Sequence, residues 1–150
     1  MFDCNVLIQA AARPDGPAAG CLRLLDGNRI AVYVSGATIR EVRAVFAYPT
    51  VRRAFPGLTD AQIARFIDRL IYKAVLVRRV AHVLDYPRAR QGEPYLDLAT
   101  AAKADYLVSR DKDLLSLMTG HSAICKEFRR RTRPLQVIDP VSFLRIVLPK

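Results

Sequence analysis

The short apolar run Tyr106-Leu107-Val108 constrains the chain more than any other stretch, because polar residues bracketing two aspartates, Asp111 and Asp113, close it at once. An apolar run of this length after a helical pattern reads as a buried parallel strand. Parallel strands require crossovers and have both faces covered, so helices are expected on either side of the sheet. Open sheets of this kind collect their ligands just past the carboxyl ends of the strands, where Asp111 stands. Asp113 has a simpler reading, as the cap of the helix that begins at Leu114.

The other segments alternate in the same way. Asp3 precedes an apolar segment running through Ala12, which Pro14-Asp15-Gly16-Pro17 closes with turn signals. A helix is read over residues 18–25, then a β-branched and aromatic strand over 30–34, then a helix over 37–47 ended by Tyr48-Pro49. Glu41 has two readings of equal standing. Thr38 to Glu41 fits a capping box; with Ser35 as the cap instead, Glu41 falls in the second turn and is free to point at the strand ends. Thr59-Asp60-Ala61-Gln62 is a clearer capping box, and Ile63, Phe66, Ile67, Leu70 and Ile71 follow at helical spacing.

A third strand is expected over residues 74–80, with Arg78-Arg79 marking it as a sheet edge. Glu93 before Pro94 reads as an N-cap, and Asp97 lies four residues on, on the same helical face. Acids at helix starts ordinarily serve the dipole, which is the plain explanation for both. Residues 135–138 give a last strand, and Asp139-Pro140 opens a last helix over 141–148. The alternation predicts a single α/β domain over residues 1–150: three layers, α/β/α, around a mostly parallel sheet.

Composition narrows the partners. The net charge is +10 at pH 7 with a pI near 10.1, which favours a polyanion or an acidic protein. The excess is clustered at Arg52-Arg53, Arg78-Arg79, Arg88 with Arg90, and Arg129-Arg130-Arg131 with Arg133. Cys4, Cys21 and Cys125 are odd in number and lack metal or disulfide spacing, which predicts reduced thiols and a cytoplasmic protein. His82 and His121 have no matching ligand cluster and read as surface or structural residues. No apolar run approaches the ~20 residues of a membrane span, and no signal peptide is read at the start.

Taken in order, Asp3-x-Asn5 before a helix, Glu41 after the second strand, acids at the start of the helix before the fourth strand, and Leu107-Val-Ser-Arg-Asp-x-Asp-Leu-Leu115 form a set. This set resembles a PIN domain, most closely the subgroup of PIN-family toxins of toxin–antitoxin systems, from Asp3 to about Phe143. The resemblance implies a five-stranded sheet of order 3-2-1-4-5 with Asp3 and Asp111 on adjacent central strands. It also implies a ribonuclease dependent on Mg²⁺ or Mn²⁺ and neutralised by a cognate antitoxin, which would cover the acidic pocket with a basic side chain. Dimers are common among such relatives. Asp3, Glu41 and Asp111 match the first, second and fourth metal-binding acids of the family. Asn5 and Ser109 match supporting positions, and Asp113 matches a less essential acid. Arg110, Lys112, Arg129, Arg130 and Arg131 are the basic residues assigned to RNA or a partner.

Two departures accompany the resemblance. The subgroup's third acid usually stands where this chain has Gly92, so Glu93, which aligns with the third acid of shorter toxin relatives, or Asp97 would have to replace it. Only Met1 and Phe2 precede Asp3, where relatives carry several apolar residues of a central strand, so a shortened first strand, from a late start or trimming, is expected. Clustered carboxylates are costly unless a cation sits among them, and hard oxygen ligands select Mg²⁺ or Mn²⁺. A competing reading is a PIN-like binding module that has lost catalysis, as Gly92 allows. A phosphatase using Asp3 as nucleophile is disfavoured, because Asn5 stands where that chemistry wants an acid.

Overall fold

The computed structural model of the chain describes residues 1–83 and 85–148. Asp3 ends the extended N-terminal segment because its carboxylate accepts from the Val6 amide at 3.0 Å, starting helix α1, Cys4–Ala12. Pro17 at the first helical position opens α2, Pro17–Asp26, which packs on α1. Strand β1, Tyr33–Val34, leads through Ser35 into α3, Gly36–Phe46. Ser35 accepts from the Thr38 amide and Thr38 returns the bond to Ser35, so the capping box starts at Ser35 and Glu41 sits in the second turn. Of the two readings of Glu41, the structure adopts the one that frees its side chain.

Tyr48-Pro49, expected only to stop α3, also starts α4, Pro49–Ala54, since proline fits a helix's first turn. Thr59 and Gln62 form the second capping box as read, opening α5, Asp60–Lys73. Strand β2, Val75–Leu76, pairs with β1 in parallel, Tyr33 opposite Val75 and Val34 opposite Leu76. Both residues of β2 are exposed, and the exposed Arg78-Arg79 pair follows. A 3-10 turn, Pro87–Gly92, runs into α6, Glu93–Ala101, whose N-cap is Gly92 rather than Glu93. Strand β3, Tyr106–Val108, follows; then α7, Lys112–Leu115, and α8, Ala123–Thr132. Strand β4, Gln136–Ile138, pairs parallel with β3, and Asp139 caps the final helix, α9, Pro140–Val147.

Helices separated by parallel strands are what the alternation predicts, but the sheet is smaller than the five strands expected. Two two-stranded parallel ladders form, and Phe2 adds one bridge to Val108 on the free side of β3. Neighbours within each group agree with the expected order. Among the described residues, no ladder joins β1 to the Phe2 segment. The segment meets β3 through the backbone groups of Met1 and Asp3, which bond Tyr106 and Val108 on either side of Phe2 before α1 begins at Cys4. Amide bonds from Val75 to Val32 and from Val77 to Val34, both 2.8 Å, extend the β1–β2 pairing slightly beyond its formal ends.

The core lies where these pieces meet. Phe2, Val6, Leu98, Leu107, Val108 and Phe143 are all buried, and Phe143 stacks edge-on against both Phe2 and Tyr106 at 6.0 and 5.6 Å. Leu107 is fully buried at the centre of the β3–β4 ladder. Leu107→Ala should therefore lower unfolding free energy by about 2–5 kcal/mol in urea titrations; a loss under about 1 kcal/mol contradicts its central place.

Candidate active site

Three acids expected to act together reach one cleft by different local devices. Asp3 arrives at the amino end of α1, Glu41 on the second turn of α3, and Asp111 in the segment leaving β3. They line a pocket of about 240 Å³ with Cys4, Asn5, Gln91, Gly92, Tyr95 and Leu114 among its other walls. The chain positions that separate them in sequence are joined by strand pairing: the Asp3 amide donates to the Val108 carbonyl at 3.1 Å.

Ser109 connects two of the acids. Its buried hydroxyl donates to the second Asp3 oxygen, and it accepts from the Asp111 amide at 3.0 Å. Asp111, rather than Asp113, is the N-cap of α7: its carboxylate accepts from the Asp113 amide at 2.8 Å. The expectation that Asp113 caps this helix fails because the helix starts two residues earlier than the apolar pattern indicates. Asp113 instead turns toward Arg88, 3.4 Å away, and its carbonyl accepts from the Tyr86 hydroxyl at 2.9 Å. Asn5 is exposed at the pocket wall.

The pocket's electrostatics are those of crowded acids. Burial pushes the Asp3 carboxyl above its ordinary pKa, against the hydrogen bonds from Ser109 and Val6 that favour its charge, and the Asp111 carboxylate adds to the rise. Glu41 is raised too, first by burial and then by Asp3. Burial and the neighbouring Glu41 push the Cys4 thiol up to about 12, so it is a neutral thiol at pH 7. Tyr95 is likewise raised, by burial and by Cys4 and Glu41.

The other predicted acids lie elsewhere. Glu93 is not among the pocket walls; its carboxylate accepts from the Tyr86 amide at 2.7 Å. Asp97 is buried but accepts from the His82 ring at 2.9 Å and the Val83 amide at 2.8 Å. Both hold the segment between β2 and α6 against α6, and the structure brings neither to Asp3. Gly92 does line the pocket, packed so tightly that an added Cβ would stand 2.7 Å from Leu114 Cδ2. Among the basic residues, Arg110 and Lys112 are exposed beside Asp111. Arg129 binds the Leu117 and Gly120 carbonyls at 2.7 and 2.9 Å, and Arg130 pairs with Glu127 at 2.6 Å, with Arg131 3.8 Å from the same carboxylate.

A divalent ion fits the donor set of Asp3, Glu41 and Asp111, which is all hard oxygen, mutually repelling and open to the cleft. Their oxygens do not crowd within direct ligating distance of one another. Among the described residues, the one group of three ligand atoms within 4.8 Å is His82, Asp85 and Glu93. Mg²⁺ keeps several waters, so acids spaced this way can hold it partly through its hydration shell. The His82 group escaped sequence reading because its spacing matches no metal motif; its order comes from the loop folding back on α6.

His82 shows what that group does. Asp97 and Asp85 raise its pKa from 6.5 to about 9, so the ring is charged at pH 7 and clamps the loop. With the folded value above the unfolded one, the clamp contributes fully below pH 6.5 and is lost as pH rises through about 9. NMR titration should place the ring's midpoint near pH 9, and Asp97→Asn should return it toward 6.5; an unmoved midpoint in that variant contradicts the clamp.

Comparison with known proteins places this arrangement in context. A family model described as a PIN domain matches residues 1–113. No curated protein and no solved structure gives a match.

Proposed function

Since the chain belongs to the PIN-domain family, we propose that it is a divalent-metal-dependent endoribonuclease, the toxin of a toxin–antitoxin pair. PIN domains are typically metal-dependent nucleases, and the observation that carries the reading here is the convergence of Asp3, Glu41 and Asp111 on one pocket. These three side chains would hold Mg²⁺ or Mn²⁺. When bound, the ion polarises the scissile phosphate and lowers the pKa of a water.

The chain's own residues do the rest. Ser109 fixes the Asp3 carboxylate, and the Asp113 amide fixes that of Asp111, so two of the three acids are preorganised before any ion arrives. Arg110 and Lys112, exposed on either side of Asp111 in the chain, would hold the RNA backbone, which would make binding depend on salt. Arg129, Arg130 and Arg131 would join them only by leaving their carbonyl and Glu127 partners. Glu93 and Asp97 remain with the loop in this reading, leaving three acids. The overall charge of +10 suits RNA and an acidic antitoxin, whose basic side chain would occupy the acid pocket. No helix among the described residues is long and apolar enough to cross a membrane; a toxin of this kind would act on RNA in the cytoplasm.

A second reading, a PIN-like module that binds RNA or protein without cutting, is favoured by one observation: Gly92 supplies no third acid on α6. Metal dependence separates the two. With Mn²⁺, the purified protein should cleave single-stranded RNA, EDTA should stop it, and Asp3→Asn, Glu41→Gln and Asp111→Asn should each reduce kcat at least about 100-fold. RNA binding that ignores EDTA, with no cleavage, points to the module instead.

Gly92 itself is testable. Gly92→Asp alone should destabilise the fold by colliding with Leu114, whereas Gly92→Asp with Leu114→Ala makes room for the acid. The double variant should bind Mn²⁺ about tenfold more tightly by calorimetry, since added ligand charge strengthens such sites. Equal affinity would show that α6 does not face the ion.

A further inference from the structure

Tyr95 carries the one buried side-chain oxygen or nitrogen, among the described residues, that has no hydrogen-bond partner. The residue is 1% exposed and stands one turn past Gly92 on α6, in the wall of the acid pocket. Burying an unpaired hydroxyl is unfavourable, and phenylalanine would fill the same space without that penalty. Packing alone therefore does not account for the hydroxyl.

Its surroundings indicate what the hydroxyl is for. The Cys4 thiol lies beside it as a weak partner outside good hydrogen-bond geometry, and the charges of Glu41 and Asp3 are felt there. Asp3 is already served, one oxygen by Val6 and the other by Ser109. Glu41 has beside it only the Cys4 thiol, a weak donor. Of the three acids, Glu41 is the one that lacks a strong donor to fix it.

Resting on the nuclease reading, we propose that Tyr95 is a positioning residue whose hydroxyl donates a hydrogen bond to the Glu41 carboxylate when Glu41 turns onto the metal. Ligating carboxylates are ordinarily held by such donors, and losing one costs about 10–100-fold in metal affinity. Helix α6 thus contributes to the site through a hydroxyl rather than through the acid missing at Gly92. The hydroxyl meets a strong acceptor only in the loaded protein, so ion binding and the packing of α6 are coupled.

Tyr95→Phe tests this with opposite signs in two measurements. The metal-free variant should melt at or above the wild-type temperature, while its Mn²⁺ affinity by calorimetry falls about tenfold and the Mn²⁺-induced melting shift shrinks. In a Glu41→Gln background, Tyr95→Phe should add no further loss of affinity, because the interaction is already removed. Wild-type affinity in Tyr95→Phe, a full additional loss in the Glu41→Gln background, or a lowered metal-free melting temperature would each overturn the assignment while leaving the nuclease reading standing. A wild-type protein that neither binds Mn²⁺ nor cleaves RNA would instead remove both.

Discussion

The hydrogen bond from Ser109 to Asp3 joins positions 106 residues apart and sets where everything else must be. Asp3 is held three ways: its amide by β3, one oxygen by α1 and the other by Ser109. A carboxylate so tied cannot drift when it is ionised, deprotonated against its burial, or drawn toward a cation. The same small cluster starts α1 directly after Phe2, beside the single bridge that the N-terminal segment makes to β3. One polar cluster thus accepts an electrostatic cost in exchange for a fixed acid.

That trade places a destabilising charge arrangement in the middle of the molecule. Asp3 and Asp111 repel each other, Glu41 repels Asp3, and burial raises the first two costs further. Hydrogen bonds from backbone amides offset part of this at Asp3 and Asp111, but Glu41 has no comparable help. Sites that accept such strain in the resting protein are commonly the ones where a ligand relieves it.

Much of the fold is legible in the residues, because it rests on local signals. The alternation of apolar strands with helices, the Thr59 capping box and the Asp139 cap all behave as their sequence patterns require. Sheet extent is not legible, since it depends on how many residues remain to pair after caps have taken theirs. The three acids of the pocket were reachable by order and strand-end position. Glu93 and Asp97 were assigned from helix-start position and, for Glu93, from the resemblance, neither of which reveals that a loop 7–15 residues upstream folds back and occupies them. Tyr95 gave no sequence signal at all, because a tyrosine on the apolar face of a helix looks like core; only its missing partner distinguishes it.

The outer strand β2 has a consequence for handling the protein. Val75 and Leu76 are 47% and 52% exposed on a ladder whose far side nothing among the described residues pairs. An unprotected rim of this kind invites stacking between copies, and Arg78-Arg79 are the guards against it, acting by repulsion rather than by cover. Such a guard depends on the ionic medium: its reach shrinks from about 10 Å at 0.1 M to about 3 Å at 1 M. Concentrated brine screens that repulsion and leaves the rim open to a second copy.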